Sequence, residues 1–407
     1  MKKLSVKNKS ILKTFIGILL AFIFILCMLP NTAKAADVVT INVYNWGQYI
    51  SDGTDGYIDV IAEFEKAYPN IKVNYMTYES NETMYTKLQS GGSSYDIIIP
   101  SDYMIGKLIS EDMLEPLDFS NIPNYKFIDE TYKNLAYDPE SKYSVPYTWG
   151  YVGVIYNKKY VKEDDLGSWD LLWNQDYAGK ILMFDNPRDA FAIAEHLLGY
   201  SLNSENEEEY AAVTEKLKAQ KNLVQSYVMD QIFDKLEREE AWIGPYYAGD
   251  YLIMLEENPD LGFYFPKEGF NLFVDAICIP KGCQHKKEAE CFINFLTAPE
   301  IMGQNIEYLS YSVPSTKAKE YMDPEFIDNP IVSPPEDVLA RGEAFASLSP
   351  KAYQAMNNCW LSVKTDDNVL GRYLILTGAA IVVVIALWLF FKIRKQRARA
   401  HRGKHYN

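Results

Sequence analysis

The chain has 407 residues, of which 48% are hydrophobic and 14% aromatic, enough for two packed domains. Its net charge is −15; residues 1–35 hold six basic side chains and residues 372–407 hold eight, with no acid in either segment, so residues 36–371 carry −29. An acidic surface kept for solubility has this composition, and so has a receptor for cations, whereas nucleic acid and anionic substrates are disfavoured.

The N-terminus has the pattern of a secretory signal peptide. Lysines are frequent over residues 2–13, an apolar run covers 15–29, and residues 33–35, Ala-Lys-Ala, fit a small-x-small cleavage site. A lipid anchor on Cys27 is disfavoured because a bulky leucine precedes it. We therefore predict a signal peptide over residues 1–35 and an exported protein.

The first stretch after the signal peptide predicts a strand that ends at a binding loop. Ile41 and Val43 alternate with polar neighbours, and the pattern breaks at Gly47. Trp46 and Tyr49 would then lie at the carboxyl end of the strand, where open α/β sheets bind their ligands. Aromatic residues of an ordinary core would give the same local pattern.

Strands and helices alternate along the rest of the body. Strands are predicted over 71–78, 95–100, 180–184, 222–228 and 271–280, and helices over 58–68, 81–91, 190–198 and 288–296. Residues 143–156 form an apolar run long enough to pass from one lobe of a protein to the next. Helical patterns also begin at Met104 and Ser168. Strand, helix and strand in succession indicate a parallel sheet with crossover connections, and hence an α/β fold.

Two acids stand at positions that ask for an explanation. Asp189 follows the strand 180–184, where a carboxylate complements the N-terminus of the next helix or binds an ammonium group. Asp275 lies in the middle of the apolar run 271–280, where an unpaired carboxylate is costly. Asp275 therefore needs a cationic partner, and its sequence neighbours do not supply one.

Three motifs in order carry a resemblance to a known family: Tyr-Asn-Trp-Gly-Gln-Tyr at 44–49, Thr-Tyr-Glu-Ser-Asn-Glu-Thr-Met-Tyr at 77–85, and Tyr-Asp-Ile-Ile-Ile-Pro-Ser-Asp-Tyr at 95–103. With them the chain resembles, over residues 38–318, the spermidine/putrescine-binding proteins of polyamine transporters. The resemblance implies a two-lobed, periplasmic-binding-protein-like α/β fold of type II, with a central sheet flanked by helices in each lobe. It also implies a receptor without enzymatic activity, cofactor or metal, whose partners are ABC transporter permease subunits and a separate ATPase.

The same resemblance implies a set of ligand-binding residues in a cleft between the lobes. Six aromatic residues would flank the methylene chain of a polyamine: Trp46, Tyr49, Tyr103, Tyr247, Phe273 and Tyr311. Two carboxylates, Asp189 and Asp275, would pair with ammonium groups, and hydrogen bonds would come from Gln48, Ser101 and Ser226. Related receptors carry an acid at the position of Gln48, and the choice between spermidine and putrescine stays open.

The C-terminus predicts a membrane anchor. Residues 373–391 are nineteen residues without a charge, close to the ~20 that cross a bilayer as a helix. The basic tail 392–407 follows at once and is expected in the cytoplasm. A buried core helix would share the apolar run but not the tail. We predict a single-pass protein of the cell membrane with its binding domain outside.

The predicted organisation follows from these segments. It comprises a signal peptide (1–35), the first part of lobe 1 (36–147), lobe 2 (148–272), the return segment of lobe 1 (273–320), a C-terminal helical segment with a spacer (321–371), the transmembrane helix (373–391) and the cytoplasmic tail (392–407). The chain would cross between the lobes near Tyr147 and near Phe273.

Other functions find less support in the sequence. Motifs for nucleophilic, phosphate-binding or zinc-dependent catalysis are missing, and a carboxylate-based glycosidase would have to use Asp189 and Asp275. Adjacent Tyr246 and Tyr247 resemble the tyrosines with which ferric-binding proteins hold iron. The four cysteines that follow the signal peptide form no Cys-x-x-Cys pair, so zinc is not predicted, whereas disulfides and free thiols are both open.

Overall fold

The computed structural model describes residues 38–91, 94–365 and 392. Contacts divide the chain into Met1–Val39 and Thr40–Asn407, and the second unit contains the cleft considered below. The predicted signal peptide and the predicted membrane span lie outside the described residues. Among the helices of the described segments, none is both long enough and apolar enough to cross a bilayer.

The described residues form one mixed sheet of ten strands. The strands are β1 (Val39–Trp46), β2 (Ile71–Tyr78), β3 (Ile97–Ile98), β4 (Ser144–Asn157), β5 (Ile181–Phe184), β6 (Val224–Val228), β7 (Ile243–Tyr247), β8 (Leu261–Tyr264), β9 (Phe270–Cys278) and β10 (Gly342–Ala344). Eight of them follow in the order β2-β1-β3-β9-β4-β7-β5-β6, while β10 pairs with β9 and β8 pairs with β4. The parallel pairs β1–β3 and β5–β6 confirm the predicted crossovers.

Helices cover the connections between the strands. The α-helices are α1 (Val60–Ala67), α2 (Asn81–Gln89), α3 (Asp102–Ser110), α4 (Pro187–Leu198), α5 (Glu207–Gln220), α6 (Ile232–Glu237), α7 (Ala248–Glu257), α8 (Lys286–Leu296), α9 (Pro299–Leu309), α10 (Pro324–Ile327), α11 (Glu336–Leu339) and α12 (Pro350–Lys364). Short 3-10 helices lie at Thr54–Gly56, Phe119–Asn121, Pro123–Phe127, Glu130–Tyr132, Glu163–Asp165, Trp169–Trp173, Gln175–Tyr177 and Ala318–Tyr321. The helix predicted from Ser168 is therefore a 3-10 helix, and the segment predicted as helical after residue 320 also contains the strand β10.

The long strand β4 joins two lobes. From Ser144 to Tyr151 it pairs with β9, and from Val152 to Asn157 it pairs with β7 and β8, always antiparallel. Lobe 1 contains β1 to β3 with the first half of β4, and lobe 2 contains β5 to β8 with the second half. The apolar run predicted to pass between the lobes forms one continuous strand. The lobe boundaries at 147 and 272 stay a prediction, since β4 and β9 continue through them.

Each lobe has its own buried core. Ile98 and Met104 belong to the core of lobe 1, and Val154 belongs to that of lobe 2. Helix α12 packs Met356 and Trp360 into the core of lobe 2. The C-terminal end of the described body is therefore attached to lobe 2.

The strand predicted over 95–100 is shorter than expected and consists of Ile97–Ile98. The side chain of Asp96 replaces part of the ladder, because its carboxylate accepts a hydrogen bond from Asn42 N at 2.8 Å. Pro100 has no N–H to donate. The chain turns at once into α3, whose N-cap residue is Ser101.

The cysteines of the described residues are free thiols: Cys278 is buried, and Cys283, Cys291 and Cys359 are half-buried. The Cys283 thiol donates to Asp96 Oδ1 at 3.1 Å. Of the two states that the sequence left open, the structure has the reduced one. Across the described part of the chain, no three acids, histidines or cysteines are grouped so as to hold a metal ion.

Candidate functional site

The carboxyl ends of β1, β3, β5, β6 and β7 open into one cleft. Ten of the eleven residues predicted for ligand binding line this cleft: Trp46, Gln48, Tyr49, Ser101, Tyr103, Asp189, Tyr247, Phe273, Asp275 and Tyr311. The structure thus brings together residues that lie far apart in the chain. Their contact with a ligand stays a prediction.

The structure corrects the predicted placement of Ser226, which does not line the cleft. It lies within β6 beside Leu182 of β5, and its hydroxyl is buried without a hydrogen-bond partner in the described part of the chain. Strand β6 contributes to the cleft only through Met229 and Asp230, which follow its last residue. Ligands meet the end of such a strand rather than its middle, so a residue within β6 is in the wrong position.

Asp275 lies in the middle of β9 and is only 4% exposed. Tyr49 Oη donates to Asp275 Oδ2 at 2.7 Å and also contacts Thr148 Oγ1. Asp275 Oδ1 is buried and has no hydrogen-bond partner among the described residues. Burial raises the pKa of Asp275 to about 6, against the lowering effect of the hydroxyls of Ser101 and Tyr49. One oxygen of a desolvated carboxylate is therefore left for a ligand.

Asp189 lies in the first turn of α4 and is 9% exposed. The helix is capped by Asn186, whose side-chain oxygen accepts from Asp189 N at 2.8 Å. Asp189 Oδ2 accepts from Tyr247 Oη at 3.0 Å and from Asn186 Nδ2 at 2.7 Å. Burial raises the pKa of Asp189, and these two hydrogen bonds oppose the shift. The capping role considered for Asp189 thus belongs to Asn186, and the Asp189 carboxylate lines the cleft.

Helix α2 brings a third carboxylate that the sequence analysis missed. Ser80 begins the helix with a capping box to Thr83, which places Glu82 in the first turn. Tyr103 Oη donates to Glu82 Oε1 at 3.0 Å. Burial raises the pKa of Glu82. The start of this helix at residues 80–81 could be predicted from the sequence. An acid in the first turn of that helix was therefore the local signal for Glu82.

Lobe 2 adds two further acids that were missed. Asp230 Oδ1 accepts from Tyr246 Oη at 3.1 Å, and Asp250 Oδ2 accepts from Tyr311 Oη at 3.0 Å. Burial raises the pKa of Asp250 to about 8 and also raises the pKa of Asp230. The local signal for Asp250 is its position in the first turn of the helix that follows the tyrosine pair of β7.

Five carboxylates of the cleft thus share one arrangement, in which a tyrosine hydroxyl donates to one carboxylate oxygen. The pairs are Tyr49–Asp275, Tyr247–Asp189, Tyr103–Glu82, Tyr246–Asp230 and Tyr311–Asp250. Each phenol partly replaces the water that the acid loses on burial, and its ring stands next to the charge. A cation bound there meets a carboxylate and an aromatic face together.

Aromatic rings form the walls between these acids. Trp46 Nε1 donates to Ile99 O at 2.8 Å, which holds the indole at the end of β1. The ring centroid of Phe273 lies 5.5 Å from that of Tyr247 and 6.2 Å from that of Tyr311, with the planes steeply inclined. Such rings offer faces that attract cations. Trp46 and Phe273 therefore belong to the wall of a cleft rather than to an ordinary core.

Two glycines allow the rings to approach the backbone. A Cβ atom at Gly249 would lie 2.6 Å from Tyr311 Cδ2 and 2.9 Å from Ser310 O. A Cβ atom at Gly150 would lie 2.8 Å from Phe273 Cζ. A side chain at either position requires the ring or the backbone to move.

Gly249→Ala is expected to displace the ring of Tyr311 and to separate its hydroxyl from Asp250. Overpacking of this kind lowers the free energy of unfolding by about 1 to 3 kcal/mol, which thermal unfolding measures. Gly106→Ala on α3 is the control, because its Cβ atom would lie 3.3 Å from its nearest neighbour, Ser347 Cβ. Equal melting temperatures for the two variants would contradict the expectation.

The charged side chains that line the cleft are all acidic. They are Glu79, Glu82, Asp189, Asp230, Asp250 and Asp275, and within the described segments no lysine, arginine or histidine joins them. Such a cleft attracts cations and repels anions.

The tyrosines considered for iron are held as protonated phenols. Tyr246 Oη donates a hydrogen bond to Asp230, and Tyr247 Oη donates a hydrogen bond to Asp189. Burial raises the pKa of both hydroxyls well above the usual value, and the neighbouring acids raise it further. The cleft therefore disfavours the phenolates that a ferric ion needs, and it suits an organic cation better.

Comparison with known proteins agrees with this geometry. Residues 59–334 match the model of a family described as bacterial extracellular solute-binding protein. The chain belongs to this family. Solute-binding proteins of ABC transporters are receptors and not enzymes, so the glycosidase alternative is dismissed.

Several known proteins are similar to this solute-binding protein in sequence, and some of them also in fold. The spermidine/putrescine-binding periplasmic protein of Escherichia coli is 31% identical over 333 residues, which cover 80% of this chain and 94% of that protein. A candidate spermidine/putrescine ABC transporter protein from Listeria monocytogenes has a solved structure with 36% identity and a TM-score of 0.75, covering 80% of this chain and 99% of that chain. The spermidine/putrescine transporter substrate-binding protein PotD of Streptococcus pneumoniae has 34% identity and a TM-score of 0.67, covering 80% and 98%. The predicted family resemblance and the two-lobed α/β fold are confirmed.

Proposed function

We propose that this solute-binding protein is the polyamine receptor of an ABC transporter. The observation that carries the proposal is a cleft with six carboxylates and aromatic walls, in which no basic side chain of the described residues takes part. A polyamine is a set of ammonium groups joined by methylene chains, so it needs carboxylates at separate points with apolar faces between them. The names of the relatives support the same ligand class.

Different predicted residues contact different parts of the polyamine. Asp189 and Asp275 receive ammonium groups, because charge-assisted hydrogen bonds are about twice as strong as neutral ones. Trp46 and Phe273 flank the methylene chain, and each cation–π contact contributes about 0.5 to 2 kcal/mol when water is excluded. Gln48 lies exposed at the edge of the cleft, where its amide is available as a further hydrogen-bonding group.

Isothermal titration calorimetry tests the ligand class. Putrescine and spermidine are the expected ligands, and cadaverine measures how strictly the cleft selects chain length. Ornithine is the sharpest control, because it keeps two amines but adds a carboxylate that would meet like charges in the cleft. Heat of binding for ornithine with none for putrescine or spermidine would contradict the proposal.

We further propose that the receptor is anchored by residues 373–391 and delivers its ligand to permease subunits served by a separate ATPase chain. The uncharged run and the basic tail support the anchor. Helix α12 ends at Lys364 on lobe 2, where Lys364 Nζ pairs with Asp185 Oδ1 at 2.5 Å. Only residues 365–372 separate this helix from the proposed anchor, so lobe 2 would stay near the membrane.

Deletion of residues 372–407 is expected to release the protein into the medium, because the proposed anchor and its cytoplasmic tail are lost together. Immunoblots of cells and medium measure the distribution. Deletion of residues 396–407 alone is the matched control, since it keeps the apolar run and three of the basic residues that follow it. Equal amounts of both truncated forms in the medium would show that the run does not anchor the protein.

A further inference from the structure

Arg188 is a buried cation directly behind the cleft, and the proposed ligand contacts do not use it. It precedes Asp189 on α4 and is 2% exposed. Arg188 Nη2 donates to Asn203 Oδ1 at 3.0 Å and to Ala346 O at 2.9 Å. Its Nε and Nη1 are buried without hydrogen-bond partners among the described residues. A charge in such a place is retained only where its surroundings compensate for lost water.

One group of contacts ties Arg188 to residues 342–349, which we call the strap. The strap begins with β10, which pairs with Phe270–Leu272 of β9. Asn203 Nδ2 donates to Ala344 O at 2.9 Å, and Asn203 Oδ1 accepts from Ala346 N at 2.6 Å. Together, Arg188 and Asn203 form hydrogen bonds with the strap backbone at Ala344 and Ala346, on either side of residue 345.

The residue held in this way is Phe345, which lines the cleft and is 6% exposed. The Arg188 guanidinium carbon lies 4.3 Å from the Phe345 ring centroid and 5.7 Å from that of Tyr103. The two rings meet edge to face at 5.6 Å. Arg188 therefore touches the strap through its backbone at Ala346 and through the ring that reaches the cleft.

A second group of contacts is electrostatic. The positive charge of Arg188 lowers the pKa of Glu82, Asp102 and Asp189, each of which burial raises. Glu195 of the same helix and Glu205 before α5 also face the guanidinium. The phenols of Tyr103, Tyr210 and Tyr353 face it from α3, α5 and α12. Of these groups, Glu82, Asp189 and Tyr103 line the cleft.

We propose that Arg188 is a positioning residue of the cleft: it holds the strap so that Phe345 forms part of the wall, and it places a fixed positive charge behind Glu82 and Asp189 that favours their ionised forms before a ligand arrives. The inference rests on the proposed polyamine function. Arginine suits the role because a guanidinium stays charged when buried and stacks on aromatic rings. Its charge also opposes the bound ammonium groups, so its removal should weaken binding more at low pH than at high pH.

Two substitutions separate the two tasks. Arg188→Met keeps a long apolar stem and removes both the charge and the hydrogen bonds, whereas Arg188→Lys keeps the charge and loses the planar group that reaches Asn203 and Ala346 together. Affinity for putrescine is measured by calorimetry between about pH 5.5 and about pH 8.5, a range in which the acids titrate and the two primary amines of the ligand stay largely charged. Hydrogen exchange of residues 342–349 is measured without ligand.

For Arg188→Met, affinity at the acid end should fall several-fold below that of the unchanged protein, since the cleft carboxylates keep their protons to a higher pH once the neighbouring positive charge is gone. At the alkaline end the loss should be smaller, because there the displaced wall weakens binding while one repulsive charge is gone. Exchange of the strap should accelerate at least about tenfold in Arg188→Met and in Arg188→Lys, because hydrogen bonds to a charged group are lost. Arg188→Lys should keep the pH profile of the unchanged protein.

If the affinity of Arg188→Met depends on pH in parallel with that of the unchanged protein, Arg188 does not act as a counter-charge. If the hydrogen exchange of residues 342–349 is unchanged, Arg188 does not position the strap. If Arg188→Met does not fold, Arg188→Gln tests the counter-charge with a polar side chain, and Asn203→Ala tests the positioning, because it loosens the strap with the charge in place. Fast exchange with an unshifted pH profile is expected for Asn203→Ala, and any other result overturns the inference. If the unchanged protein binds neither putrescine nor spermidine, the proposed function fails, whereas the exchange data still decide the positioning.

Discussion

Asp275→Asn is expected to weaken polyamine binding by about 30-fold to several thousand-fold, which corresponds to about 2 to 5 kcal/mol for one partner of a buried charged pair. Asparagine keeps the shape, and Tyr49 Oη can still donate to its side-chain oxygen. Because Asp275 Oδ1 has no partner among the described residues, the bond that disappears is the one to the ligand ammonium. Calorimetry with putrescine and spermidine measures the loss.

Two controls separate this effect from general damage. Stability without ligand should be unchanged or higher, because burial raises the pKa of Asp275 to about 6 and its ionised form destabilises the folded state at neutral pH. Asp164→Asn removes the same charge from an exposed residue outside the cleft. If the two variants agree in affinity within about threefold, Asp275 is a structural acid and the ammonium–carboxylate pair is wrong at this position.

Polyamine affinity is expected to fall at least about tenfold between about pH 8 and about pH 5. Burial raises the pKa of Asp275 to about 6 and that of Asp250 to about 8, and a cation in the cleft favours the ionised form of both carboxyls. The primary amines of putrescine stay charged over this range, since an amine of this type has a pKa of about 10. Binding therefore releases protons, which calorimetry in buffers of different ionisation enthalpy measures.

Without ligand, protein stability should change with pH in the opposite direction. In the folded state the two carboxyls keep protons that the unfolded chain has lost, because an aspartate of the unfolded chain has a pKa of about 3.9. Their stabilising effect is complete at low pH and is lost as the pH rises through about 6 for Asp275 and about 8 for Asp250. Thermal unfolding of the Asp275→Asn and Asp250→Asn variants should show a weaker decline. Polyamine affinity that rises as the pH falls would contradict the expectation that the cleft carboxyls bind the ligand in their ionised form.

Residues that directly follow a strand could be predicted from the sequence. Trp46 ends β1, and Tyr103 lies two residues beyond the N-cap that follows β3. Parallel strands place their carboxyl ends at one edge of the sheet, so finding each strand end was enough to place these rings in one cleft. Ser226 was transferred by resemblance alone, and it failed because it lies inside β6 and not after it.

The sequence by itself determined the alternation of strands and helices, because periodicity is local, and its motifs carried the family resemblance that implied ten of the cleft residues. Only the tertiary structure decided which acid meets which phenol, since Tyr49 and Asp275 are 226 residues apart and Tyr311 and Asp250 are 61 apart. It also decided that Arg188 reaches the backbone of a residue 158 positions away. The ionisation of a carboxylate depends on what removes its water and what donates to it, and in this cleft both come from segments that only folding brings together.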